Sequence, residues 1–268
     1  FNNYDGLASG LQPIGVKYDD ASRKVVCTLE QDDIMDGLNW LHKWYQDGII
    51  NPDANVVTDG GKGSIFGSAQ GWPAAATTWA FNAGIEKYDL TQVFGPLYTT
   101  ETIQGSMNAI SANSKYKTEA LKVLQLMNTD SKFRDMCAYG TEGNYMEYAE
   151  DGTVQKLRDD WNWPSYTQGT FFILSTQADG DPDAWNQVKE QNESAVSSTC
   201  LGFALDVTNI QNEIANCNTV WDKYKNDLLT GASDPATAVP ACIEELKAAG
   251  LDTVIEEAQK QVDEFFAN

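Results

Sequence analysis

Ile210, Ile214, Cys217, Trp221, Tyr224 and Leu228 recur at alternating steps of four and three. That spacing lays six side chains along one stripe of one long helix, and such a stripe has to be buried against another layer. Two further helices are expected after it. Asp234-Pro235 pairs a capping residue with proline at the first helical position, and Gly250 is placed to end that segment as a left-handed cap. Val254, Ile255, Ala258, Val262, Phe265 and Phe266 then form the apolar face of a last helix over Asp252 to Phe266.

The rest of the chain must supply what these helices pack on. With 268 residues, it is long enough for one large α/β unit or two lobes sharing the backbone. Val16 to Leu29 reads as a hairpin around a polar turn, Tyr18 to Lys24. A helix follows, capped by Asp32 or Asp33, with Ile34, Leu38, Leu41 and Tyr45 inward and Gly48 as its stop. Asn51 to Trp79 is a connection rich in Gly, Ala, Ser and Thr, with Ile65 and Phe66 ahead of the bend Gly71-Trp72-Pro73. Short strands are expected at Thr91 to Leu97 and Gln104 to Ile110, and a helix at Thr118 to Met127 built on Ala120, Leu121, Leu124 and Met127. Asp181-Pro182 is expected to open a helix reaching Ala195, with Trp185 and Val188 facing inward.

Composition removes several function classes. Acidic residues outnumber basic ones by 39 to 18, a net charge of -21, so nucleic acid is an unfavourable partner. The five cysteines, Cys27, Cys137, Cys200, Cys217 and Cys242, include no CxxC pair and read as buried free thiols rather than metal ligands. The single histidine, His42, sits at a polar helix position without a partner and reads as a surface residue. Gly60-Gly61-Lys62-Gly63-Ser64 lacks the phosphate-loop spacing and reads as a loop, and Asp179 to Asp183 lacks the calcium-loop pattern. Neither a metal nor a cofactor is expected. No apolar run of ~20 residues appears, and the polar start Phe1-Asn2-Asn3-Tyr4 has no signal-peptide character, so the native N-terminus is expected to lie upstream.

What remains is the stretch from Tyr139 to Phe172, irregular and crowded with aromatic residues, which reads as the functional surface. Three passages around it carry a resemblance. Ala120 to Tyr148, ALKVLQLMNTDSKFRDMCAYGTEGNYMEY, is a helix followed by a Tyr-Gly-x-Glu-Gly-x-Tyr turn. Trp185 to Asp206, WNQVKEQNESAVSSTCLGFALD, ends in a Ser-x-x-x-Gly-Phe signature. Asn209 to Phe265 supplies the closing helices. Together they resemble the family 1 extracellular solute-binding proteins of ABC importers, in the LipO-like group with a DUF3502 C-terminal region.

The resemblance implies an α/β, periplasmic-binding-protein-like type II fold, in which two lobes close on a solute as a hinged clamp. It implies that this chain is mainly the C-terminal lobe with a partial N-terminal lobe: residues 1–97 and 130–268 in the C-lobe, 98–129 an N-lobe segment with the hinge crossings. The expected partners are a small-molecule solute, an oligosaccharide, and ABC permease subunits in the membrane. The expected location is the cell surface, lipid-anchored in the full-length protein. No catalytic residue is implied.

Sugars present flat C–H faces that stack on aromatic rings and hydroxyl edges that need carboxylate and amide partners. Trp72, Trp79, Tyr145, Trp161 and Trp163 are the candidate faces, with Glu142 and Asn144 as candidate hydroxyl partners. Trp40, Trp185 and Trp221 lie on helical patterns and read as structural or surface-facing. Two alternatives stay open. A carbohydrate-active hydrolase would use two of Glu142, Glu147 and Asp151 as acid and base at roughly 5 to 9.5 Å; a peptide binder of the same fold would use the aromatic cleft for an extended backbone.

Overall fold

The stripe at 210–228 is the spine of one of two compact units. In the computed structural model, α6 (Gln211–Leu229) buries Ile214, Cys217, Trp221 and Leu228. The model describes the chain except residues 58–66, 68, 74, 77–78, 81–83, 87, 159, 162 and 268 and the side chain of Ser165. The first unit comprises Phe1–Ser68, Leu97–Ile103 and Val196–Asn268; the second comprises Ala69–Pro96 and Gln104–Ala195.

In the first unit, β1 (Tyr4–Asp5), β2 (Ile14–Lys17) and β3 (Val25–Cys27) form an antiparallel sheet in that order, with Ile14 opposite Cys27 and Val16 opposite Val25. The expected hairpin is thus present. The buried faces of the sheet, of α1 (Asp32–Gln46), of α6, of α7 (Pro235–Ala249) and of α8 (Leu251–Phe266) share one core that includes Leu11, Val16, Leu38, Trp221, Leu246 and Val262. The closing helices follow their sequence signals: the Asp234 side chain accepts from Ala236 N, Pro235 takes the first helical position, and Gly250 adopts φ 110° between α7 and α8. A parallel pair joins β4 (Leu97–Tyr98), which α2 (Thr100–Ile103) follows, to β7 (Val196–Ser197).

The second unit contains α3 (Lys117–Thr129), α4 (Ser131–Tyr139), the antiparallel hairpin of β5 (Met146–Tyr148) and β6 (Val154–Lys156), and α5 (Ala184–Glu193). Its apolar core is small, Tyr139, Met146, Val154 and Leu174, and a buried carboxylate reinforces it. Asp135, 1% exposed, accepts from Ser175 N and Oγ and from the Tyr148 hydroxyl, tying α4 to the hairpin and to the segment after it. The units divide after Ser68, Pro96, Ile103 and Ala195. Residues 69–96 group with 104–195, where Trp72 packs on Phe171.

Several local expectations change. Gln104 to Ile110 forms no strand, and of Thr91 to Leu97 only Leu97 enters one, because a two-residue parallel pair is all the partner strand offers. In α3 only Met127 is buried and Leu121 is 60% exposed, so the expected four-residue stripe is mostly not core. Gln31, not an aspartate, occupies the cap position of α1, because Asp33 accepts instead from Asn3 Nδ2 and Tyr4 Oη. Similarly, Asp181 accepts from Asp183 N and Gln187 Nε2, which delays α5 to Ala184. His42 is half-buried rather than on the surface, with Nδ1 2.7 Å from Gly231 O. Ile65, Phe66 and the Gly60 to Ser64 loop lie outside the described residues.

Candidate functional site

All seven candidate residues lie in the second unit. The turn that carries three of them starts where α4 stops. Gly140 has φ 91°, and a Cβ on it would stand 2.5 Å from Tyr145 Cβ, so only glycine lets the chain double back here. Gly143 N then donates to Met146 O and Tyr145 N to Thr141 O, closing the turn into β5. Glu142 and Asn144 are left exposed and Tyr145 half-buried.

Tyr145 meets Trp161 at 5.3 Å between ring centroids, with planes inclined at 56°. Trp161 is fixed at its polar end, where Nε1 donates to Cys137 O at 3.1 Å. Arg158 lies over the Tyr145 ring at 4.8 Å, pairs with Asp160, and reaches Asn144 Oδ1 at 3.5 Å. The Arg158 hydrogen bond holds the Asp160 carboxyl below the usual carboxylate range. This first group is a tilted aromatic pair with a cation, an amide and a carboxylate at its edge.

The second group is a row of rings. Trp72 meets Trp79 edge to face at 6.1 Å and 74°, and stacks on Phe171 at 6.2 Å and 25°. Phe171 in turn stacks on Trp185 at 5.0 Å and 16°. Contacts of this kind contribute about 0.5–1.5 kcal/mol each beyond area burial, enough to hold the rings in a fixed relation. Both groups rest on α4: Arg134 lies 5.7 Å from the Phe171 centroid, and Cys137, one helical turn on, accepts from Trp161.

The structure therefore brings Trp72 together with Trp79, and Asn144 and Tyr145 together with Trp161. Trp163 is 37% exposed and Glu142 is exposed on the turn; neither joins these ring contacts. Phe171, Trp185 and Arg158 were not among the candidates. Trp185 stands on a helical pattern that also suits a core residue, and only its position opening the second family-like passage set it apart. Of the carboxylates considered for hydrolysis, Asp151 is exposed and held below its ordinary range by the Thr153 hydroxyl and amide, which suits a spectator rather than a proton donor. Among the described residues no group of three or more His, Cys, Asp or Glu could hold a metal ion, and no helix is long and apolar enough to cross a membrane.

Residues 199–267 match the family described as "Domain of unknown function (DUF3502)". Across its whole length the chain is 27% identical, over 283 residues, to a "Carbohydrate ABC transporter substrate-binding protein" of Streptococcus pneumoniae serotype 4, spanning 57% of that protein. The N-glycan transport solute binding protein NgtS of Streptococcus pneumoniae has a similar structure. Its crystal structure superposes with a TM-score of 0.84 at 26% identity, covering 99% of this chain and 61% of that one. Its complex with Man1GlcNAc gives 0.81 at 26% identity, covering 99% and 62%. By sequence and by fold, the chain is a relative of the solute-binding proteins of carbohydrate ABC transporters, with a DUF3502 region at residues 199–267.

Proposed function

We propose that the chain is part of a protein that captures an oligosaccharide outside the cytoplasm and passes it unchanged to an ABC permease. The observation that carries this reading is the aromatic surface of the second unit. Tyr145 and Trp161, edged by Arg158, Asn144 and Asp160, combine ring faces with the charged and amide groups that hydroxyls bind. Trp72 and Trp79 form a second ring contact in the same unit, and Trp163 and Glu142 are further exposed side chains proposed to meet the ligand. The relationship to a protein crystallised with Man1GlcNAc favours a mannose- and N-acetylglucosamine-containing ligand. Capture without turnover fits relatives that bind rather than transform, and a lipid anchor at the cell surface completes the proposal.

Isothermal titration with Man1GlcNAc and larger mannose oligosaccharides, followed by chromatography of the recovered sugar, tests the reading. Saturable binding with intact sugar is expected. Shortened sugar would establish a hydrolase, and binding of short peptides in place of sugars would establish a peptide carrier.

A further inference from the structure

We propose that Arg134 is the positioning residue of the aromatic row, acting with Gly169 as a seat that sets the plane of Phe171 and, through it, of Trp72 and Trp185. This rests on the reading of that row as part of the sugar-binding surface.

Arg134 is 0% exposed, and burying a guanidinium is costly unless its donors and charge are used. Its Nε donates to Thr170 O at 3.0 Å, and its cation faces the Phe171 ring at 5.7 Å, inside the ~6 Å range of cation–π attraction. Thr170 is held from the other side as well, where its N–H donates to Asn128 Oδ1 at 3.1 Å. Both backbone groups of the residue before Phe171 are thus gripped, one from α3 and one from α4.

Gly169 is what allows so close a seat. At φ 72°, a Cβ there would stand 2.8 Å from Met127 O and 3.0 Å from Arg134 Nε, so any side chain would push this segment away from both helices. Two residues on, the Phe171 ring is nearly parallel to Trp72 and to Trp185, at 25° and 16°. In a stack of this kind, a tilt of the middle ring has to be followed by its neighbours. Lysine cannot replace arginine here, because a rotating ammonium lacks the planar fork that fixes Nε on Thr170 O while the charge stays over the ring.

The test uses Arg134→Lys, Gly169→Ala and the milder Asn128→Ala at an exposed position, with Phe171→Leu defining the signal of the disrupted stack. Each is compared by near-ultraviolet circular dichroism without ligand, by far-ultraviolet spectrum for folding, and by titration with Man1GlcNAc. Variants with the wild-type far-ultraviolet spectrum are expected to lose about half or more of the tryptophan near-ultraviolet signal and to bind the sugar about tenfold more weakly. Asn128→Ala keeps the test open if the Arg134 and Gly169 changes prevent folding. A wild-type near-ultraviolet spectrum in the folded variants would overturn the proposal. If the spectra change but the wild-type protein binds no sugar, the seat stands and the sugar reading fails.

Discussion

Trp161 leans on Tyr145 at 5.3 Å while its Nε1 holds Cys137 O, so one face-bearing residue is anchored by a backbone carbonyl and the other by a glycine-dependent turn. Replacing Tyr145 by Ala should remove a ring without opening the core, because the residue is only half-buried. The expected outcome is an oligosaccharide affinity lower by about tenfold with little change in Tm, read by titration calorimetry and scanning calorimetry. Unchanged affinity would remove Tyr145 from the site.

Asp135 is a buried carboxylate that ties three segments of the second unit together. Asp135→Ala would strand the Tyr148 hydroxyl and the Ser175 N–H and Oγ in a partly buried setting. A loss of about 3 kcal/mol is expected, measured by urea unfolding. With an apolar cluster of only Tyr139, Met146, Val154 and Leu174 among the described residues at its centre, that unit should unfold first, tryptophan fluorescence reporting it ahead of the far-ultraviolet signal, which the helices of the first unit dominate.

Four of the five cysteines are buried thiols, and burial pushes Cys27, Cys200 and Cys217 up to about 11 and Cys242 up to about 12. Cys137 is only partly buried; burial raises its pKa too, against the pull of the Arg134 charge. Iodoacetamide at pH 8 should therefore label Cys137 alone in the native protein and all five cysteines in denaturant, as counted by mass spectrometry. Native labelling of Cys242 would reveal an opening of the helical core.

Asp20 closes the turn of the first hairpin, accepting from Ser22 Oγ, Lys24 N and Ser22 N, and these bonds hold its carboxyl below the ordinary 3.8. A depressed carboxyl adds stability that is fully present above 3.8 and is lost as pH falls through its folded value. Asp20→Asn should lower Tm by about 2 °C at pH 6, and the gap should narrow as pH falls below 3.8. The site is exposed, so a much larger gap would contradict this account.

The helices at the C-terminal end were legible because their apolar spacing, their proline and their glycine cap are local signals that agree with one another. Trp221 and Leu228 sit where the stripe put them. The start of α1 was misread because Asp33 has two uses of similar worth, and a contact with Asn3 and Tyr4, some thirty residues earlier, outcompeted the cap. The strand expected at Gln104 to Ile110 had residues of suitable type but no edge to pair with, and pairing is a tertiary fact. In the site, the aromatic stretch could be seen as composition. That Phe171 would stand between Trp72 and Trp185 could not, since the three are brought together from three separate segments.

The first unit draws its core from both ends of the described chain, with residues 104–195, the bulk of the second unit, running between them. During synthesis, Leu7, Leu11, Ile14 and Val16 leave the ribosome about two hundred residues before the α6 side chains Ile214 and Trp221 of the same core. The second unit can close in that interval, while the first waits as an open, apolar sheet. That order slows the closing of the first unit, since the entropy of a long intervening segment must be lost before its distant contacts form.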